Sequence, residues 1–252
     1  MTVAPSPFGA VEAVENALLN GRVRLRQPTR GYRAGMDAAL LAAAVPAEPG
    51  QRVIEAGCGA GAVLLQIAAR RPGVSLTGLE RDSAMAALAC GNAALNGCEA
   101  EILIGDVAAG FRALDRPPFD WAVSNPPFFD DPDALRAPAT EKQGAWMADA
   151  GLGAWTRFLL KSVREGGRIV IIHRADRLAD LLALLGGTAG SFAVRGVHPH
   201  ADEPAKRVLV QAIKTGKSPL RLLPPLVLHD RSGAKHTAEA EAILRGEAGL
   251  GW

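Results

Sequence analysis

The chain has 252 residues with 28 Lys+Arg against 26 Asp+Glu, a formal net charge of +2, which excludes a histone-like polycation. No apolar run approaches the ~20 residues of a membrane span, and the first nine residues lack a secretory leader's basic start and apolar centre. Alanine and glycine are abundant and aromatics few, with one tyrosine, Tyr32, which points to a helix-rich α/β protein rather than an all-β one.

In chain order, Val11–Leu19 has helical spacing. Arg22–Gln27 alternates basic and apolar side chains, a strand with one charged face, and Pro28–Gly31 is a turn. Tyr32–Arg33 is a short returning strand. Ala38–Val45 is a buried helix with Asp37 as its cap. From Gln51 strands and helices alternate: strands at 52–56, 74–80, 101–105, 119–124 and 167–173, helices at 62–70, 83–96, 146–164 and 177–185. Such alternation implies βαβ units and a mostly parallel sheet. The strands at 193–198 and 207–213 have no helix between them and form an antiparallel pair. The tail adds a strand near Leu226 and a helix over 237–245. The expected division is an N-terminal extension (1–50), a catalytic domain (51–215) and an appendage of that domain (216–252).

Cys58, Cys90 and Cys98 show no paired spacing, which argues for a reducing, cytoplasmic setting and against a metal site. Arg22, Arg24, Arg26, Arg30 and Arg33 crowd one stretch with no acidic residue, as either a solvated surface or a phosphate contact.

The first parallel strand runs into Gly57-Cys58-Gly59-Ala60-Gly61. Glycines there let the backbone approach a ligand closely. Leu64 stands where a dinucleotide fingerprint read from Gly59 has its last glycine, and Glu55 ends the strand with a carboxylate that would repel phosphate. NAD is therefore disfavoured. A ligand with an ammonium group, such as S-adenosylmethionine, suits Glu55 better. Glu80 ends the second strand where it can accept ribose hydroxyls, and Asp106 follows the third, placed for an adenine amine with Val107 beside the ring. Cys58 is a small packing residue in the loop.

Asn125-Pro126-Pro127-Phe128 follows the fourth strand. An amine conjugated to a ring or carbonyl is a poor nucleophile because its lone pair is delocalised. Two acceptors for its two N–H groups, the Asn125 side-chain oxygen and the Pro126 carbonyl, localise that pair towards an electrophilic methyl. The prolines fix the backbone, and Phe128 can stack on a flat substrate.

The glycine loop, Glu80, Asp106 and Asn125-Pro126-Pro127-Phe128 resemble class I methyltransferases of the amino-modifying branch. Gly31–Ala38, His198-Pro199, Pro204–Val210 and Leu226–Asp230 resemble the bacterial tRNA-valine adenine-N6 methyltransferase family. The resemblance implies a Rossmann-like sheet of seven strands, the last antiparallel, with helices on both faces and the N-terminal segment covering the cofactor. It implies S-adenosylmethionine as cofactor, with Tyr32, Met36 and Asp37 bordering the pocket; Cys58 and Arg81 are further candidate cofactor contacts. It further implies transfer to adenine N6 beside a tRNA anticodon, with Arg22, Arg24, Arg26, Arg33, Lys206 and Arg207 as candidate RNA contacts. Glu55 stands where relatives carry aspartate, and Phe128 where they often carry tyrosine. A glutamine methyltransferase would use the same Asn-Pro-Pro logic but with a helical domain ahead of the cofactor fold. A DNA adenine or small-molecule N-methyltransferase and a non-catalytic RNA-binding protein are the remaining alternatives.

Overall fold

A computed structural model describes residues 12–29, 34–127, 151–231 and 233–252. Two strands, β1 (Ala13–Leu18) and β2 (Val23–Pro28), form an antiparallel hairpin separate from the main sheet. The helix expected over Val11–Leu19 is therefore corrected to a strand over Ala13–Leu18. β1 is mostly exposed, so its apolar spacing decides little, whereas the turn requires left-handed backbone at Leu19, Asn20 and Gly21. β2 alternates as expected, with Val23 and Leu25 buried and Arg24 and Arg26 exposed.

The main sheet has the order β10-β8-β9-β7-β6-β3-β4-β5. Its strands are β3 (Arg52–Ala56), β4 (Ser75–Glu80), β5 (Ala100–Ile104), β6 (Phe119–Ser124), β7 (Val163–Arg174), β8 (Ala189–His198) and β9 (Arg207–Lys214). The pairs from β5 across to β7 are parallel, and β9 lies antiparallel between β7 and β8. These seven strands are the Rossmann-like sheet expected from the sequence. Two further two-residue strands, β10 (Arg221–Leu222) and β11 (Leu226–Val227), pair with the outer side of β8.

The helices are α1 (Met36–Ala43), α2 (Ala62–Arg70), α3 (Ser83–Leu95), α4 (Leu152–Ser162), α5 (Leu178–Gly186) and α6 (Ala238–Arg245). Two apolar clusters cover opposite faces of the sheet. One joins the hairpin, α1, α2 and α6 to Val53, Trp121 and Val123. The other joins α4 and α5 to Ile54, Ala56 and Ala122. Alternation along β3 and β6 sends successive residues to opposite faces.

Polar side chains fasten the N-terminal hairpin. Asn92 of α3 and Asn96 at its C-cap, four residues apart, present amides to the free edge of β2. Asn92 accepts from the Arg26 N–H (2.9 Å) and donates to the Arg26 carbonyl (2.8 Å), and Asn96 treats Arg24 likewise. A second donation from Asn92 reaches the Ala60 carbonyl (2.9 Å), tying the hairpin to the glycine loop. Gln27 accepts from the Ala34 N–H and sets the entry to α1.

The tail forms the expected strand and helix. Thr237 caps α6 through the Ala240 N–H. At the other end Arg22 donates to the Arg245 and Gly246 carbonyls, and Arg70 donates to those of Ile243 and Ala248. Cationic side chains satisfy carbonyls that a helix C-terminus leaves open. Leu250 N–H and the Trp252 indole donate to the Ala43 and Ala44 carbonyls at the end of α1.

Candidate active site

The carboxyl ends of β3, β4, β5 and β6 bring most of the expected residues together. Gly57, Gly59 and Gly61 all have positive φ, so the loop needs glycine at each. The Gly57 and Cys58 N–H groups both donate to the Leu79 carbonyl, folding the loop back over β4. Gly61 caps α2 in a left-handed conformation.

Glu55 faces Gly78 across the β3–β4 pair and is buried. Burial pushes its carboxyl well above the usual carboxylate range, the nearby Glu80 raises it further, and the Leu64 backbone N–H pulls the other way. Its Oε2 is buried without a hydrogen-bond partner among the described residues. Glu80 accepts from the Gly59 and Asp82 N–H groups, each at 2.9 Å. A carboxylate with about four acceptor sites keeps capacity for two hydroxyls after those bonds. Asp106 accepts from the Ala108 N–H at the 3-10 turn Val107–Ala109, and Arg81 lies 4.0 Å from its other oxygen. Val107 is buried beside them.

Cys58 packs behind the loop. A Cβ on Gly78 would lie 2.6 Å from its sulfur and 2.8 Å from Leu64 Cδ1, so glycine at 78 makes room for both. Burial first, then Glu55 and Glu80, push the Cys58 thiol up, which keeps it protonated and suits a packing role.

β6 lies beside β3 with Ser124 opposite Ala56, and the Ser124 hydroxyl donates to the Ala56 carbonyl at 2.8 Å. Gly57 and Asn125 therefore begin adjacent loops, about one strand spacing of 4.8 Å apart. Asn125 and Pro127 are half-buried and Pro126 is buried. Phe128, Tyr32 and Arg33 lie outside the described residues.

The N-terminal border differs from expectation in one respect. Asp37 does not cap α1, whose N-cap Gly35 receives no side-chain bond. Asp37 instead accepts from Arg207 Nε at 2.9 Å, pinning the start of α1 to β9. Met36 opens the same turn. Among the candidate RNA contacts, Arg22 is committed to the α6 carbonyls and Arg207 to Asp37. Arg24 and Arg26 both pair with Glu15, which faces them from β1, so the stretch that lacks acids in sequence gains one in space. Lys206 is exposed.

Two features of the site escape a reading by motif. Asn92 is fully buried within an alanine-rich helix, where an amide has to have partners. Trp155 of α4 is half-buried, and its indole edge rests on Gly57. Its only sequence signal is a tryptophan in a chain poor in aromatics.

Residues 33–141 match the methyltransferase small domain. A solved structure, a predicted O-methyltransferase, protein Atu636 from Agrobacterium tumefaciens, superposes with a TM-score of 0.70 at 28% identity, covering 85% of this chain and 98% of that one. The Thermus thermophilus 16S rRNA N2 G1207 methyltransferase shares the fold, with a TM-score of 0.58 at 22% identity over 84% of this chain and 52% of its own. Three strand-end carboxylates around a glycine loop, on this sheet, define a class I methyltransferase dependent on S-adenosylmethionine.

The Yersinia pestis (strain Pestoides F) tRNA1(Val) (adenine(37)-N6)-methyltransferase is 36% identical over 179 residues, 69% of this chain and 70% of the relative. The enzyme of the same name from Dickeya chrysanthemi is 29% identical over 221 residues, 84% and 86%. The chain belongs to the tRNA1(Val) (adenine(37)-N6)-methyltransferase family. The residues fit the cofactor, because the Glu55 oxygen without a partner among the described residues is a buried acceptor of the kind an ammonium group requires.

Proposed function

We propose that the protein methylates N6 of adenine 37 in a tRNA. What carries the reading is Asn125-Pro126-Pro127 opening beside the glycine loop, in a chain whose relatives bear that name. Bound S-adenosylmethionine supplies a methyl group on a sulfonium, primed for in-line displacement. Glu55, ionised, would hold the ammonium, Glu80 the ribose and Asp106 the adenine amine. The Asn125 side-chain oxygen and the Pro126 carbonyl accept the two N6 hydrogens and turn the lone pair towards the methyl carbon. N6 would take the methyl group as the cofactor leaves as its thioether, and the surplus N6 proton would pass to solvent once the product is released. Catalysis of this kind rests on positioning and fixed dipoles rather than on a strong base.

The test is transfer from labelled cofactor to tRNA1(Val) transcript, followed by nucleoside analysis. Label should appear as N6-methyladenosine and vanish when A37 is replaced by G. Asn125→Ala should cut transfer by roughly 100-fold or more while cofactor affinity measured by calorimetry stays near wild type. Label recovered in protein, or at another nucleoside, would overturn the reading.

A further inference from the structure

Trp155 sits against the first glycine of the cofactor loop. A Cβ added to Gly57 would fall inside the van der Waals envelope of Trp155 Cη2 and lie 2.9 Å from Cζ3. The contact is therefore between the far edge of the indole and the backbone of the first loop glycine, whose φ is +71°. The rest of α4 packs on β3, on β6 and on the 3-10 turn that carries Val107. One helix thus touches the strand leading to the glycine loop, the strand leading to Asn125 and the wall of the expected adenine pocket. Trp155 belongs to the α4–α5 side of the sheet and packs on its apolar cluster, yet its ring reaches the sheet's carboxyl edge.

We infer that Trp155 is a positioning residue for methyl transfer: its indole edge, seated on Gly57, fixes the loop and walls the cleft shared by cofactor and Asn125. The inference rests on the assignment of Asn125 above. A flat, rigid ring is suited to this because it holds a glycine backbone by contact alone and excludes water from the reacting atoms. Glycine at 57 is the complementary half, since any side chain there meets the ring.

The consequence is spectroscopic as well as kinetic. The chain has four tryptophans. Trp121 is buried with its indole N–H on Gln51, and Trp252 donates to Ala44, both away from Gly57. Trp146 lies outside the described residues. Titrating the full-length protein with S-adenosylmethionine, without RNA, should change tryptophan emission. The change should persist in Trp121→Phe, Trp146→Phe and Trp252→Phe and disappear in Trp155→Phe. Trp155→Ala should lower transfer at saturating cofactor and RNA roughly 100-fold, the scale of a 1 Å misplacement. Trp155→Phe should recover part of that loss.

If calorimetry shows cofactor binding to wild type with no emission change, or the change survives in Trp155→Phe, the inference fails. It also fails if Trp155→Ala transfers at the wild-type rate. Should Trp155→Ala not fold, the emission series in the conservative variants still decides. The cofactor alone elicits the signal, so a different methyl acceptor would refute the substrate proposal and leave this result standing.

Discussion

Replacing Glu55 by glutamine separates what the site costs the protein from what it gives the cofactor. Glu55 is 2% exposed, with one carboxyl oxygen lacking a partner among the described residues. Its folded-state pKa is raised, by burial first and by Glu80 second. An acid with a raised folded pKa binds its proton more tightly when folded. Its stabilising effect is therefore complete below the ordinary carboxyl value and is lost as pH rises towards the folded pKa. The loss runs at ~1.4 kcal/mol per pH unit across that window. Glu55→Gln has no proton to lose, so without cofactor its advantage over wild type should widen with pH at that rate and then level off. Urea denaturation of both proteins across pH 5 to 9 reads the difference directly. Cofactor binding should move the opposite way. A charge-assisted bond contributes about 1.5–3 kcal/mol, so the variant should bind S-adenosylmethionine roughly 10- to 150-fold more weakly. Wild-type binding should also rise with pH and release a proton, seen by calorimetry in buffers of different ionisation enthalpy. Parallel stability curves, or equal cofactor affinity, would refute the assignment of Glu55 to the ammonium.

Asn92→Ala removes three hydrogen bonds at a fully buried position, two to Arg26 and one to Ala60. At about 1 kcal/mol net each it should destabilise the protein by about 3 kcal/mol; denaturation showing less than about 1 kcal/mol would mean that the hairpin is held elsewhere. His173 has a pKa lowered to about 4 by burial first, then by Arg174 and Arg207. A depressed histidine gives stability that is whole above the unfolded value near 6.5 and is lost as pH falls towards 4. Its ring resonances should stay in the neutral form until about that pH, and a titration midpoint near 6.5 would refute the burial argument.

Much of the central sheet was legible because its strands are short apolar runs punctuated by glycine and acid. Gly57, Glu80 and Asn125 mark strand ends, and strand ends are where this architecture keeps ligands. β1 was not legible from periodicity. Its residues bury so little that a helical spacing of Val14, Ala17 and Leu18 carries no packing information. The informative signal was Asn20-Gly21, a dipeptide suited to the left-handed turn observed. The arginine stretch misled in another way, because Glu15 lies nine residues from Arg24 in sequence but 2.8 Å away in space. Asp37 reads as a cap because of its place in the chain, but Arg207, 170 residues on, claims its carboxylate.

The bonds from Arg22 to the end of α6 also set an order of events during synthesis. Arg22 and Arg245 are 223 residues apart. At about 5–20 residues per second, roughly 10–45 s pass after Arg22 is made before its carbonyl partner exists. Asn92 and Asn96 follow the β2 residues they clamp by only 66 and 72 positions. The nascent hairpin can thus dock on α3 while the ribosome is still building the sheet. The anchors of α1 at Leu250 and Trp252 follow all the described strands, so the helix that opens with Met36 and Asp37 gains their support only after those strands have been translated.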